Sequence, residues 1–158
     1  MKRTSIVLFI IIGLLLYFSE DIYKSFLEKK SYIVFQQLNE LAGIAEIYHK
    51  QNNKYPKDWT VLDIPYKNKK IESDGLWIGN NNFKILPDGS ITGKYFITEV
   101  FFTYTPAQSD EQKSVFTCAA SGWFNSKQIC QSFTEPANTI RLESGSNKGK
   151  WYIYPIKE

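Results

Sequence analysis

The chain has 158 residues, of which 43% are hydrophobic and 16% are aromatic, and its formal net charge is +3. This composition suits one domain of ordinary size with an appendage and leaves little room for a second independent domain. Two positive charges, Lys2 and Arg3, precede an apolar segment, so the rest of the chain is nearly neutral. Such a charge balance is not typical of a nucleic-acid-binding protein.

The N-terminus combines these basic residues with an apolar run, 6–18, and two acidic residues, which is the pattern of a signal-type or anchor-type segment. As a helix this run is about 20 Å long, shorter than the roughly 30 Å hydrocarbon core of a bilayer. Length therefore favours a signal peptide. However, residues 17–19 offer only one of the two small residues that signal peptidase requires, and no cysteine follows for lipid attachment.

We therefore predict an uncleaved membrane anchor in 1–21 and an exported domain in 22–158, with a cleaved signal peptide as the alternative. The positive-inside rule keeps the N-terminus in the cytoplasm. The expected location is the inner membrane, with a single pass and the C-terminal domain in the periplasm. The predicted anchor residues are the apolar side chains of the run: Ile6, Val7, Leu8, Phe9, Ile10, Ile11, Ile12, Leu14, Leu15, Leu16, Tyr17 and Phe18.

A long amphipathic helix should follow the anchor without a break. Apolar residues recur every three, four or seven positions from Ile22 to Tyr48, with polar residues between them. No proline interrupts 4–52, so we predict a continuous helix of nearly fifty residues, about 70 Å long. The helix should stop at Asn52, Asn53 and Pro56, because asparagine tolerates the left-handed conformation and proline has no N–H to donate.

Beyond the helix the chain changes to short runs rich in aromatic and β-branched residues, which are typical of strands. These runs are LWIG, FKIL, KYFITEVFFTYT, SVFTCAA, TIRLE and WYIYPI. PDGS at 87–90 predicts a tight turn, and KNKKIESDG at 67–75 is interpreted as an exposed loop. We expect an α+β fold in which the long N-terminal helix packs on an antiparallel β-sheet of about four to six strands.

Few residues carry catalytic or metal-binding chemistry. His49 is the only histidine, lies near the predicted helix end and has no nucleophile motif beside it, so no enzyme is predicted. One histidine and two distant cysteines match no zinc spacing, and the PDGS turn is not a calcium loop. Nucleotide-binding motifs are also missing from the sequence. We therefore expect no metal, no cofactor and no small-molecule substrate.

The two cysteines, Cys118 and Cys130, suit an oxidising compartment. The predicted export favours a disulfide between them over the alternative, two buried free thiols. In the chain-entropy model such a bond stabilises the fold by roughly 3 kcal/mol.

Three lysines, Lys67, Lys69 and Lys70, lie near Trp59 and Tyr66 in the sequence and raise the question of DNA contact. Three lysines in a loop are more commonly a solvated surface, so nucleic-acid binding is not favoured. Packing within the sheet explains the other aromatic residues without a ligand.

The layout of the whole chain carries the strongest indication of function. A basic leader precedes an apolar segment that continues into a long helix; IAEIYHKQNNKYP closes this helix, and a late cysteine pair lies in FTCAASGWFNSKQICQSF. This layout resembles type IV pilins and the pseudopilins of type II secretion. In that family the helix commonly ends in an alanine- and tyrosine-bearing stretch with a Tyr-Pro exit. Many members also close a C-terminal loop with a disulfide.

The N-terminus departs from the pattern of that family. Prepilins carry a glycine followed by Phe or Met, with a glutamate five residues into the mature chain; here Gly13 is the only candidate, and the fifth residue after it is Phe18. The resemblance therefore implies an accessory protein that stays in the inner membrane and promotes type IV pilus assembly or stability through contacts with pilins or pilus assembly proteins. The alternatives are a minor pilin or pseudopilin incorporated into the filament, and a periplasmic binding module for DNA or glycan.

Overall fold

The computed structural model describes the backbone of residues 2–107, 109, 112–121, 126–133, 140–142 and 151–156, and the side chains of 19, 21–107, 109, 112–120 and 128–133. Residues outside these ranges are not discussed further.

One helix, α1 (Lys2–Asn52), occupies the first third of the chain and contains 51 residues. At about 1.5 Å per residue it is roughly 76 Å long, so the prediction of one continuous helix is confirmed. The helix ends at Asn52, and the next residue, Asn53, has φ 54° and donates its N–H to the His49 carbonyl at 2.7 Å. The predicted stop signal is thus also confirmed.

The rest of the described chain forms a short 3-10 helix, Trp59–Val61, a second helix and a β-sheet. The second helix is α2 (Ser126–Ser132), to which the sequence pattern assigned no element. The strands are β1 (Lys69–Glu72), β2 (Gly75–Ile78), β3 (Asn81–Ile85), β4 (Ile91–Tyr95), β5 (Val100–Thr105), β6 (Val115–Ser121), β7 (Ile140–Leu142) and β8 (Trp151–Ile156).

All neighbouring strands pair antiparallel, in the order β1-β2-β3-β4-β5-β6-β8-β7. The expected α+β class, a long helix on an antiparallel sheet, is confirmed. The described residues form eight strands, because the predicted run 94–105 includes the end of β4 as well as β5, and the segment 67–75 contains β1. A turn divides that run after Tyr95, where the Thr98 N–H donates to the Tyr95 carbonyl at 2.9 Å.

The interpretation of 67–75 as a loop is wrong, because β1 lies within it. All four β1 residues are exposed and three of them are charged, so the alternation that marks a half-buried strand is missing. Main-chain pairing with β2 forms this strand, in the register Lys69↔Ile78 to Glu72↔Gly75. By contrast, the predicted turn at 87–90 is confirmed: it joins β3 to β4, and the Leu86 N–H donates to the Ser90 carbonyl at 2.8 Å.

The core lies between α1 and the centre of the sheet, where α1 crosses β4 and β5. Leu38 and Leu41 on the helix and Phe83 on the sheet are fully buried. Gly93 on β4 permits this close approach, because a Cβ there would lie 2.6 Å from the Phe83 ring and 3.3 Å from Cγ1 of Val34. Burial begins at Leu27; none of the described side chains before it is buried.

Candidate interaction surface

The predicted anchor forms the first part of α1. The backbone of 2–18 is helical, but the side chains of the predicted anchor residues lie outside the described ones. Within the part of the chain that the structure describes, no helix combines the length and the apolar character needed to cross a bilayer.

Several large apolar side chains are exposed near the N-terminal end of the described part of α1. They begin close to the predicted anchor and continue beside the sheet, with exposed fractions of 70% for Ile22, 51% for Tyr23, 40% for Phe26, 54% for Tyr32 and 39% for Ile33. We call these five residues the helix surface. Clustered apolar side chains of this kind mark protein–protein or membrane contacts more often than singly scattered ones do.

A groove of about 570 Å³ lies where the helix surface meets the end of α2. Tyr32, Ile33 and Phe133 provide its apolar walls, while Glu28, Lys29 and Ser132 provide the polar lining. The Phe133 ring also packs edge-to-face on Phe35 and Phe102, at centroid distances of 5.5 and 5.0 Å, and stacks on Tyr32 at 6.4 Å. These contacts fix one wall of the groove to the protein core.

A disulfide between Cys118 and Cys130 joins β6 to α2, as predicted. The two Cα atoms lie 5.5 Å apart, and both cysteines are fully buried. Because α2 is only seven residues long, it is too short to be stable by itself. The disulfide therefore holds α2 where Phe133 can complete the groove.

The C-terminal end of α1 is attached to the sheet by a different kind of contact. Glu46 accepts hydrogen bonds from the hydroxyls of Tyr104 on β5 and of Tyr55, the latter at 3.1 Å. Burial, and next to it the hydrogen bond and charge of Glu46, raise the pKa of the Tyr104 phenol well above its ordinary value. The pKa of Tyr55 is raised by the same causes. We call Glu46, Tyr55 and Tyr104 the Glu46 network.

Two further contacts support this end of the helix. The Tyr66 hydroxyl donates to Glu40, and burial followed by this bond raises the pKa of Tyr66. The ring of His49 stacks on the Tyr55 ring at a centroid distance of 4.1 Å and an angle of 3°. His49 thus lies in the last turn of α1, as predicted, and takes part in attaching the helix to the loop that follows it.

A polar depression of about 670 Å³ adjoins His49. Its lining mixes cations and anions, including Lys50, Lys54 and Asp88 beside Glu46. This mixture gives no net sign of charge that would select one class of ligand. In the searched, described part of the chain, no group of three His, Cys, Asp or Glu residues could hold a metal ion.

The three lysines singled out in the sequence do not form one patch. Lys69 and Lys70 are adjacent on β1, so their side chains point to opposite faces of the sheet. The Lys69 ammonium donates to the Ile64 carbonyl, whereas Lys70 lies opposite Trp77 in the sheet register. Lys67 lies in the turn before the strand.

The sequence reasoning missed Glu46 and Phe133 as organising residues. The alternation in β5 indicates that Phe102 and Tyr104 share a buried face, but not which helix residue meets them. The sequence signal for the Glu46 network was an acidic residue directly between two apolar residues, Ala45 and Ile47, near the end of α1. Phe133 follows a helix that gave no recognisable sequence pattern.

The fold and this surface define the class of protein: an α+β domain with an internal disulfide, packed on the C-terminal part of a long helix. Comparison with family models, curated proteins and solved structures found no match to this chain.

Proposed function

We propose that this chain is a membrane-anchored, pilin-like accessory protein that promotes type IV pilus assembly or stability through protein–protein contacts. The observation that carries the proposal is the helix surface together with its groove. A helix with exposed apolar side chains along its length is suited to lie against another helix.

The position of the surface along α1 supports the proposal. Residues 2–26 precede Leu27, the first buried side chain among the described ones, and span about 37 Å as a helix. If 1–21 is the anchor, Ile22, Tyr23 and Phe26 emerge at the membrane boundary, where amphipathic aromatic rings such as that of Tyr23 are favoured. The groove at Tyr32 then lies about 15 Å farther from the bilayer. A partner helix leaving the same membrane beside α1 would therefore meet the exposed residues before reaching the groove.

The lining of the groove also supports a helical partner. Its walls are aromatic and aliphatic, as in grooves that accept the apolar face of a helix. Glu28 and Lys29 place one charge of each sign in the lining, and Glu28 also pairs with Lys24 at 4.0 Å. Such charges can fix the position of a partner with the opposite arrangement. Pilins or pilus assembly proteins are the partners that the resemblance implies.

The first experiment is deletion of the gene. Surface piliation should fall while pilin synthesis stays unchanged, and unaltered piliation would contradict the proposal. Complementation with the Ile33→Lys variant should fail to restore piliation, because a charged side chain would enter the groove. Ile47→Lys is the matched control, since Ile47 is 58% exposed on the same helix but lies outside the groove.

Intact mass of the protein isolated from membranes distinguishes an accessory protein from a filament subunit. The proposal requires the unprocessed N-terminus and absence from sheared pili. A processed chain recovered in sheared pili would instead identify a minor pilin.

A further inference from the structure

Strand β1 lies at one edge of the sheet. It pairs with β2 on one side, and no strand formed by the described residues pairs with its other side. Its four residues, Lys69–Glu72, are all exposed. An accessible edge of this kind presents unpaired N–H and C=O groups to a further strand.

The register of the β1–β2 hairpin shows which main-chain groups point outward. Glu72 is opposite Gly75, and the two residues between them form a tight turn, which directs the Glu72 carbonyl toward the Gly75 N–H. Main-chain groups in an antiparallel strand alternate in direction. The main-chain groups of Glu72 and Lys70 therefore point toward β2, whereas those of Ile71 and Lys69 point toward the free edge. There the Lys69 N–H already donates to the Tyr66 carbonyl at 3.3 Å, so the Ile71 groups are the ones open to a further strand.

We propose that β1 pairs antiparallel with β1 of a second copy of this chain, across a two-fold axis at Ile71. In an antiparallel pair of strands, the main-chain N–H and C=O groups of two opposite residues either both point toward the other strand or both point away from it. Ile71 opposite Ile71 of the second copy satisfies this condition. Lys70 then lies opposite Glu72 of the second copy, and symmetry repeats this pair on the other side of the axis.

The charges on β1 select this register. An axis at Lys70 would place Lys70 opposite Lys70 of the second copy, and an axis at Glu72 would place Glu72 opposite Glu72. Either change shifts the pairing by two residues. Like charges directly opposite each other are destabilising, and opposite charges are stabilising. Parallel pairing in register would likewise put lysine beside lysine. The side chains of Lys70 and Glu72 have no ion pair or hydrogen bond within the described part of the chain, so both are available.

The contrasting explanation is that charged residues keep this edge unpaired. That explanation predicts a monomer whichever way the charges are arranged. Four residues per strand make a small interface, which suits a weak association between chains. Attachment of both copies to one surface would increase their effective concentration. The inference does not depend on a role in pilus assembly.

Cross-linking of the full chain tests the pairing directly. At the axis the two Cα atoms of residue 71 would be about 5.5 Å apart, a distance that a disulfide spans. Ile71→Cys should form a covalent dimer under mild oxidation, read on a non-reducing gel. Val61→Cys is the matched control, because Val61 is 47% exposed and Ile71 is 44% exposed. Equal dimer yields from the two variants would overturn the proposal.

A charge exchange tests the register. Adding Lys70→Glu to Ile71→Cys places two glutamates opposite each other and should slow dimer formation about tenfold. Adding both Lys70→Glu and Glu72→Lys should restore the original rate. All three positions are exposed, so folding should be unaffected, and this can be checked by the intact Cys118–Cys130 bond. The register would be refuted if Lys70→Glu left the rate of dimer formation unchanged. It would also be refuted if adding Glu72→Lys failed to restore the original rate.

Discussion

The two segments of α1 differ in what surrounds them. In 27–52, which we call the packed segment, Leu38 is fully buried against the sheet and Glu46 binds two tyrosines. In 2–26, the projecting segment, the described apolar side chains such as Ile22 are exposed. Both segments satisfy their main-chain hydrogen bonds internally, but most helical stability in proteins comes from packing. The described side chains of the projecting segment, 19 and 21–26, would gain such packing from the proposed membrane and partner.

The largest expected effect comes from the core of the packed segment. Leu38→Ala removes a fully buried side chain and should lower the free energy of unfolding by about 3 kcal/mol. Ile22→Ala in the projecting segment should change it by less than about 0.5 kcal/mol. Urea unfolding of the full chain in detergent, followed by tryptophan fluorescence, measures both values. Similar losses of unfolding free energy in the two variants would show that the projecting segment contributes as much to stability as the packed segment.

The disulfide should have the next largest effect. Replacing both cysteines by serine should lower the free energy of unfolding by about 2–4 kcal/mol, because the unfolded chain gains freedom. Phe133 should also lose its fixed position against Phe35 and Phe102. Unfolding with and without reductant measures the first effect. The wild-type protein under reductant should match the double variant, and an oxidised protein no more stable than the reduced one would contradict this.

The Glu46 network tests how firmly the end of α1 is attached. Tyr104→Phe keeps the buried ring but removes the hydroxyl that donates to Glu46, and should cost about 1–2 kcal/mol. Tyr55→Phe removes the other hydrogen bond to Glu46. Because Tyr55 is less buried than Tyr104, this change should lower the free energy of unfolding by less. Equilibrium unfolding at neutral pH compares the two. A larger loss for Tyr55→Phe would reverse our assignment of Tyr104 as the main contact.

The same network predicts how stability depends on pH. The folded-state pKa of Tyr104 is raised above its ordinary value of 10.0, chiefly by burial and then by Glu46. Its contribution is therefore complete below about pH 10 and is lost as the pH rises toward the folded-state pKa, since the unfolded state releases its proton first. Tyr104→Phe should make the fall in stability above pH 10 less steep. If the stability of Tyr104→Phe fell as steeply above pH 10 as that of the wild type, the folded-state pKa of Tyr104 would not be raised.

The smallest effect should be an increase in stability. Gly43 lies within the packed segment but is exposed, and a Cβ there would meet nothing within 4 Å. Gly43→Ala should therefore raise the free energy of unfolding by about 0.5–1 kcal/mol, because alanine loses less freedom than glycine on forming a helix. Gly93→Ala is the opposite control, since its Cβ would collide with the Phe83 ring. Thermal unfolding should move the two variants in opposite directions.

Much of the fold was predictable from local patterns. The 3.6-residue periodicity predicted α1, the residues Asn52, Asn53 and Pro56 predicted where it stops, and the aromatic runs predicted six of the strand regions. The strand β1 was missed because its residues, Lys69–Glu72, are all exposed and therefore leave no periodic hydrophobic signal. The helix α2 was missed because a disulfide and the contacts of Phe133 hold it in place, and neither depends on its own helical pattern.

The sequence by itself determined the long helix and the antiparallel sheet, and it left each cysteine only one possible partner within the chain. Periodicity, turn residues and cysteine count are local or countable properties. Tertiary structure decided which helix residues face the sheet, that Glu46 meets Tyr104, and that Tyr32, Ile33 and Phe133 form one groove. It also decided that β1 lies at an edge of the sheet. These features join residues far apart in the chain, and only the packing of α1 and α2 on the sheet brings them together.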